Sequence, residues 1–228
     1  MHPSTWRLLK EEGLVGFVKL RTLHGYVYLK WIKPYVKFAI KTLIPRLGPW
    51  LKSYVVNRYH CKVLTGEEAK AVITVDKPIE LHGAPEQMIP FPYVRDIVIK
   101  WPHHIAIMEC ACRAAQGGKC HPSKVCMVIG QPFVDFVVEH QPDAERITPD
   151  KALEILEREH RNGRIHAAWF KDACIGRFYA ICNCCPCCCS GNKAMRLYDA
   201  PLVAPSGYAP QLHADKCRGC GSCEAVCH

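Results

Sequence analysis

Cysteine constrains this chain more than any other residue type. Sixteen cysteines occur among the 228 residues, and six of them fall within the eight residues from 182 to 189. Thiols at that density have little use in a purely apolar core, where an isolated cysteine such as Cys61 or Cys174 serves as a small hydrophobe. Adjacent cysteines are also poor disulfide partners among themselves, because a bridge requires particular separations and directions of the Cα atoms. The sequence therefore predicts that most of these thiols are ligands of a metal.

The cysteine content also indicates a reducing compartment. A disulfide framework with this many cysteines is expected only in a small secreted protein. The first twenty residues carry Glu11 and Glu12 and no continuous apolar run before a small-residue cleavage site, so we expect no signal peptide. These features predict a cytoplasmic protein, with association at the inner face of the membrane as an extension of that prediction.

The end of the chain resembles the bacterial-type [4Fe–4S] ferredoxin motif. Four cysteines stand at C-x₂-C-x₂-C-x₃-C spacing, namely Cys217, Cys220, Cys223 and Cys227. Gly219 and Gly221 lie between them, and glycine permits a positive φ that brings backbone amides close to cluster sulfurs. The resemblance implies that these four cysteines bind a cubane cluster. Two departures are His228, where ferredoxins usually have proline, and the lack of a second motif, so either the chain is truncated or an upstream cysteine completes the site.

A second resemblance covers residues 95–228. It is carried by residues 109–113, Cys120, Cys126, residues 146–148, residues 163–166 and residues 181–189, in that order. These elements are similar to a little-characterised group of cysteine-rich [4Fe–4S] ferredoxin-type proteins of anaerobic bacteria and archaea. The resemblance implies an electron carrier or a subunit of a redox complex, with one, two or more [4Fe–4S] clusters and a redox partner protein.

The candidate ligands in the middle of the chain form two groups. They are Cys110, Cys112, Cys120 and Cys126, followed by Cys182, Cys184, Cys185, Cys187, Cys188 and Cys189. Spacing leaves two arrangements open: the first four cysteines form one set while some of the last six serve another, or both groups surround a single centre. Cys110 and Cys112 would lie on the same side of an extended backbone, where both could reach one metal.

The pattern of the chain predicts an α+β fold in three parts. These are a basic amphipathic helical docking segment over residues 1–60, a small mixed α/β cysteine-rich domain over residues 61–200, and a ferredoxin-like cluster loop, half of a motif or a truncated one, over residues 201–228. A capping box at Thr65 and Glu68 and a Thr148-Pro149 start predict two helices. Residues 97–99, 104–108, 164–170 and 177–181 are predicted strands.

The first sixty residues hold the excess of positive charge. They contain eleven Lys or Arg and only two acids, whereas the rest of the chain is balanced. On a helix, Lys33, Lys37 and Lys41 would form a stripe opposite the apolar residues of the segment. The apolar face of this helix could pack against protein, or the segment could make peripheral contact with an anionic membrane. Nucleic-acid binding is disfavoured because no recognition motif accompanies the charge. Basic residues interrupt every apolar run before the length of a membrane span.

Electron transfer through iron–sulfur clusters is the function that these patterns favour. The sequence has no glycine-rich phosphate loop, nucleophile elbow or dinucleotide fingerprint, which favours a non-enzymatic carrier. One alternative is a zinc-binding regulatory module whose helix–strand–strand unit resembles a winged helix, since thiolates also bind zinc. Another is an iron–sulfur enzyme with a site-differentiated cluster.

Overall fold

The structure is a computed structural model, and it describes residues 2–11 and 20–226. The described helices are α1 (Pro3–Lys10), α2 (Leu20–Lys30), α3 (Ile32–Phe38), α4 (Pro49–Val56), α5 (Gly66–Ile73), α6 (Ala111–Ala115), α7 (Phe133–His140), α8 (Pro149–Arg161), α9 (Ser190–Tyr198) and α10 (Ser222–Val226). The described strands are β1 (Tyr59–Leu64), β2 (Ile79–Leu81), β3 (Ile97–Glu109), β4 (Lys124–Gln131), β5 (Glu145–Ile147), β6 (Ile165–Lys171), β7 (Arg177–Cys184) and β8 (Val203–Ala204). A π-helical turn (Ala39–Leu43) follows α3, and 3-10 turns occupy Ile44–Arg46 and Ala214–Lys216.

The strands form one mixed sheet in the order β2-β3-β4-β7-β6-β1-β8, with β5 also paired to β3. Neighbouring strands are antiparallel except β1 and β8, which are parallel. β4 and β7, the strands that carry several of the cysteines, are neighbours at the centre of the sheet. The mixed α/β fold predicted from the sequence is therefore confirmed.

Both faces of the sheet are covered by helices. Consecutive residues of β3 alternate between two apolar clusters, with Ile105 and Ile107 on one side and Ala106 and Met108 on the other. The first side packs against α5 and α8, and the second against α1, α2 and α7. Because side chains alternate across a strand, a strand that is apolar at successive positions must be buried on both faces.

Two helices begin where the capping signals predicted. The Thr65 backbone N–H donates to the Glu68 carboxylate at 2.7 Å, and the Glu68 N–H donates to Thr65 Oγ1 at 3.2 Å, which completes a capping box. The Lys151 N–H donates to Thr148 Oγ1 at 3.2 Å. Each bond satisfies a backbone N–H that has no partner inside the helix.

The strand predictions hold with one correction. Residues 97–99 and 104–108 belong to one strand, β3, because both ends find partners in the sheet across an irregular stretch in which Trp101 has a φ of +59°. The last two predicted strands are β6 and β7. They lie in the interior of the sheet between β1 and β4, and do not form the free wing of a winged helix.

The basic N-terminal segment contributes to this core. Leu8, Tyr28 and Leu29 are buried in the cluster beside α7. Lys33 Nζ lies 2.6 Å from a Glu109 carboxylate oxygen and 2.8 Å from Asp143 Oδ1. These contacts attach the segment to the sheet.

The amphipathic pattern is only partly covered. Lys37 and Lys41 are exposed, and so are two of the apolar residues expected opposite them, Phe38 and Leu43. No helix in the described ranges has both the length and the apolar character needed to cross a bilayer. The docking role of residues 1–60 and the division of the chain near residues 60 and 200 stay predictions.

Asp135 of α7 ties the N-terminal helix to two strands. Its carboxylate accepts hydrogen bonds from Arg7 of α1, from Arg146 of β5 and, at 2.7 Å, from Gln131 at the end of β4. Burial alone raises the pKa of Asp135, but the hydrogen bonds and the two guanidinium charges hold it below its ordinary value.

Replacing Asp135 by Asn should lower the free energy of unfolding by about 1.5–3 kcal/mol at pH 7, because a charge-assisted network loses its anion. The native carboxylate has a lowered pKa, so its contribution is complete above the unfolded value of about 3.9 and is lost as the pH falls further. Urea unfolding at pH 7 and pH 3.5 measures both effects. Glu154→Gln, at an exposed pair on α8, is the control and should change little. An equal loss at both pH values would contradict the role of the charge.

Candidate metal centre

The predicted cluster loop at the end of the chain is exposed. Cys217, Cys220 and Cys223 all reach solvent, and Cys227 lies outside the described residues. Gly219 and Gly221 have φ values of +66° and +70°, as their predicted role requires. The loop therefore has the backbone turns that a cluster motif needs.

One thiol of this loop is activated. Cys220 Sγ lies 3.3 Å from Ser222 Oγ, and hydrogen bonds from the hydroxyl and backbone N–H of Ser222 to the thiolate lower its pKa to about 7. A thiol with that pKa is substantially ionised near neutral pH, and the thiolate is the form that binds metals.

Four middle cysteines form a compact group, which we call the Cys120 cluster. Its members are Cys120, Cys185, Cys187 and Cys188, and their Sγ atoms all lie within 4.8 Å of one another. Cys120 Sγ is 2.8 Å from Cys187 Sγ and 3.3 Å from Cys188 Sγ. The Sγ atoms of Cys187 and Cys188 are 3.6 Å apart. Cysteine-rich sites of this kind hold metals, and these four thiols could hold a metal ion.

The other six middle cysteines line a neighbouring cavity, which we call the thiol cavity. They are Cys110, Cys112, Cys126, Cys182, Cys184 and Cys189, and two members of the Cys120 cluster, Cys185 and Cys188, also line this cavity. The cavity measures about 50 Å³, several times the roughly 10–15 Å³ that one water molecule requires. Aromatic side chains, including Tyr28, Tyr59 and Trp169, complete its wall. The thiols thus surround a space instead of filling it.

The sheet places three of these thiols. Cys182 and Cys184 alternate with Asn183 along β7, so both point to the cavity face of the sheet. Cys126 on the neighbouring strand β4 brings its Sγ to 3.7 Å from Cys182 Sγ. Adjacent strands thereby supply one wall of the cavity.

Helix N-termini place the other three. Cys110 is the N-cap of α6, Cys112 lies in the first turn of that helix, and Cys189 is the N-cap of α9. The extended backbone expected through Cys110 and Cys112 is therefore wrong. The Ala114 N–H donates to the Cys110 carbonyl at 3.0 Å, because residues 111–115 have the composition of a helix. Both thiols nevertheless line the cavity.

The electrostatics of the cavity favour neutral thiols with one exception. Interaction with Cys110, followed by burial, raises the pKa of Cys112 well above its ordinary value, and interaction with Cys189, followed by burial, does the same for Cys184. The pKa of Cys189 is lowered by its hydrogen bond with Cys184 and by the backbone N–H groups of Asn192 and Gly191. A bound metal reverses this balance, because it is bound by thiolates and offsets their charge.

A buried ion pair holds the cysteine-bearing segments together. Arg113 and Glu159 are 1% and 0% exposed, and Arg113 Nη2 lies 3.1 Å from Glu159 Oε2. The same guanidinium donates to the carbonyls of Pro122 and, at 3.2 Å, Asn183. It therefore joins α6, the loop that carries Cys120, and β7.

Asn183 continues this network. Its Nδ2 donates to the Val125 carbonyl at 2.9 Å, and its Oδ1 lies 2.7 Å from His166 Nδ1. The side chain points to the face of the sheet opposite Cys182 and Cys184, so one strand serves the polar network on one side and the cavity on the other.

The structure brings cysteines of both predicted groups together, and the division of the ligands between centres stays a prediction. Cys120 lies with the turn of residues 185–188, while Cys110, Cys112 and Cys126 face the remaining cysteines of the second group. The reason is the loop after α6, which Arg113 fixes through the Pro122 carbonyl and which carries Cys120 away from α6.

The polar network contains three residues of the segments that carry the second resemblance, Arg113, His166 and Asn183, but the sequence did not predict a network or any role for Glu159 and Asn183. Arg113, Glu159, Asn183 and His166 are all buried. The one signal was an asparagine inside an apolar strand, since a buried amide requires hydrogen-bond partners. Cys61 and Cys174 are buried in the apolar cluster, and burial raises the pKa of both thiols.

Replacing Arg113 by Met should lower the free energy of unfolding by about 3–5 kcal/mol, because Glu159 loses its buried cationic partner and keeps the half-exposed Arg158. The double variant Arg113→Met with Glu159→Leu should recover a large part of the loss, since an apolar pair of similar volume costs less than an unpaired charge. Chemical unfolding measures both. Arg161→Met, on the exposed face of α8, is the control. A double variant no more stable than the single one would contradict this account.

Comparison of the chain with protein-family models, with curated proteins and with solved structures finds no match. The geometry and chemistry of the thiols are therefore the basis for a functional proposal. They define a cysteine-rich site that could hold a metal.

Proposed function

We propose that this protein transfers electrons through iron–sulfur clusters, and that the thiol cavity binds a [4Fe–4S] cluster. The observation that carries the proposal is a cavity lined by eight cysteines, six of which come from two strands and two helix N-termini. Cubane clusters are held by four cysteine thiolates. Six candidates exceed that requirement, and spare thiols can hydrogen-bond to ligand sulfurs.

The spread of the thiols supports a cluster over a single ion in the cavity. Among the described residues, no three of the six cavity Sγ atoms lie mutually within 4.8 Å. A single ion requires its ligand atoms to converge on one point, whereas in a cubane each thiolate binds a different iron. Space between the thiols is therefore what a cluster needs.

The wall of the cavity favours electron transfer over catalysis. Tyr28, Tyr59, Trp169 and Tyr179 close it with aromatic groups, and the Tyr28 and Tyr179 hydroxyls hydrogen-bond to each other at 2.7 Å. A catalytic metal keeps a position open for substrate, whereas a cubane held by four thiolates needs no open position. When bound, a cubane supplies a one-electron couple, with a potential that hydrogen bonds and burial set within about −700 to +450 mV.

The exposed cluster loop at the end of the chain, which we call the tail, suits the exchange of electrons with a redox partner. Cys217, Cys220 and Cys223 are accessible, and with Cys227 they have the ferredoxin spacing. We propose that a second [4Fe–4S] cluster binds here and receives or donates electrons at the surface. The buried site would then be the inner of two centres.

Anaerobic purification should give about eight irons that are matched by acid-labile sulfide, and dithionite reduction should bleach the visible absorption and produce an electron paramagnetic resonance signal. Cys126→Ser with Cys182→Ser should remove about four of these irons, since each cubane contains four. Redox titration should show a one-electron transition. Zinc without sulfide in the unmodified protein would contradict the proposal.

The tail offers an independent measurement. Cys217→Ser with Cys220→Ser should remove about four irons while the cavity cluster stays, because the loop is exposed and separate from the core. Cys174→Ser is the control, as this thiol is buried but lines neither site. Iron content that is unchanged in the tail variant would reject the second cluster.

A further inference from the structure

The geometry points to a third kind of site: we propose that the Cys120 cluster binds one metal ion, zinc or iron, in a tetrahedral mononuclear centre. A tetrahedron of metal–sulfur bonds of about 2.3 Å has edges of about 3.8 Å between sulfurs. The Sγ–Sγ distances of 2.8, 3.3 and 3.6 Å are somewhat shorter than that edge, and all four Sγ atoms lie within 4.8 Å of one another. The four thiols converge on one point, unlike those of the cavity.

The chain supplies the four ligands from two segments. Three lie on the turn of residues 185–188, in which Pro186 restricts the backbone and the Cys189 N–H donates to the Cys185 carbonyl at 3.1 Å. The fourth, Cys120, comes from the loop after α6. A mononuclear thiolate site with four protein ligands leaves no open position, which is typical of structural zinc and of thiolate-bound iron.

The surroundings suit such an ion. Cys185 and Cys188 are buried, whereas Cys187 is exposed and Cys120 half-buried. Metal can therefore enter from solvent and be held by two thiols in the protein interior. The Arg113 guanidinium interacts electrostatically with Cys185, so a fixed positive charge lies near the site and offsets the charge of four thiolates.

A disulfide is the competing explanation for the closest pair. Cys120 Sγ and Cys187 Sγ are 2.8 Å apart, which exceeds the disulfide bond length of about 2.05 Å. A bridge between them would also leave Cys185 and Cys188 without a function, although the Sγ atoms of both lie within 4.8 Å of that pair. An ion accounts for all four side chains.

The mononuclear centre lies directly beside the thiol cavity. Cys185 and Cys188 belong to the Cys120 cluster and also line the cavity, and each is next in the chain to another cavity thiol, Cys184 or Cys189. An ion here fixes the turn from which two cavity thiols project. Its presence does not depend on the proposed iron–sulfur cluster.

The test is metal and sulfide analysis of the full-length protein as purified. We expect about one zinc, or about one iron in excess of sulfide, per chain. Cys187→Ser should lose that ion without loss of sulfide, and because Cys187 is exposed the variant should keep its fold by circular dichroism. Cys174→Ser is the matched control and should keep the ion. The zinc and iron measurements distinguish the two metals.

Cobalt adds a spectroscopic readout. Protein from cobalt-supplemented cells should show the intense visible bands of tetrahedral Co²⁺ bound by thiolates, and Cys120→Ser should weaken them. Loss of about four irons with matching sulfide in Cys187→Ser would overturn the proposal by making this a cubane site. A Cys120–Cys187 disulfide in mass spectra, or no ion beyond those matched by sulfide, would overturn it as well. Loss of the single ion would support it even if the cavity held no cluster.

Discussion

The buried ion pair between Arg113 and Glu159 is the contact on which the arrangement of the thiols depends. A charge removed from water is stable only when it is paired and its hydrogen bonds are satisfied. The planar guanidinium has five donors in a fixed fork, so it can bind a carboxylate and two carbonyls at once, which a lysine cannot do with the same geometry. Because those carbonyls belong to Pro122 and Asn183, the two Nη groups of one buried cation align three segments that bear cysteines, while its Nε makes no hydrogen bond within the described residues.

Local signals in the sequence predicted some elements of the fold, namely α5, α8, β3, β6 and β7, but not others such as α7, α9, β1 and β4. The caps at Thr65 and Thr148 act within one helical turn, and the apolar strands of the second half were found where β-branched and aromatic residues cluster. The continuity of β3 was missed because the interruption near Trp101 is bridged by neighbours in the sheet. The order of the strands was beyond prediction, since it depends on pairing between distant segments.

The same distinction applies to the site. The number of cysteines and their spacing along the chain identified them as candidate ligands, because both properties can be read from short stretches of sequence. Their grouping is not local: Cys120 reaches the turn at residues 185–188 only because a loop is held by a buried arginine far along the chain from that turn. The polar network escaped notice because Arg113 and Glu159 resemble ordinary surface residues in the sequence, and only Asn183 stands out.

The turn after β7 contributes to both sites: Cys184 and Cys189 line the thiol cavity, whereas Cys185 and Cys188 line it and also belong to the Cys120 cluster. The peptide bonds between them make the positions of the two groups interdependent. An insertion or deletion in this stretch would shift both groups together, and oxidative damage to it would reach both at once. Natural variation is therefore expected to conserve the length of the turn more strictly than the identity of any single thiol that lines the cavity, because six thiols there exceed what four positions need.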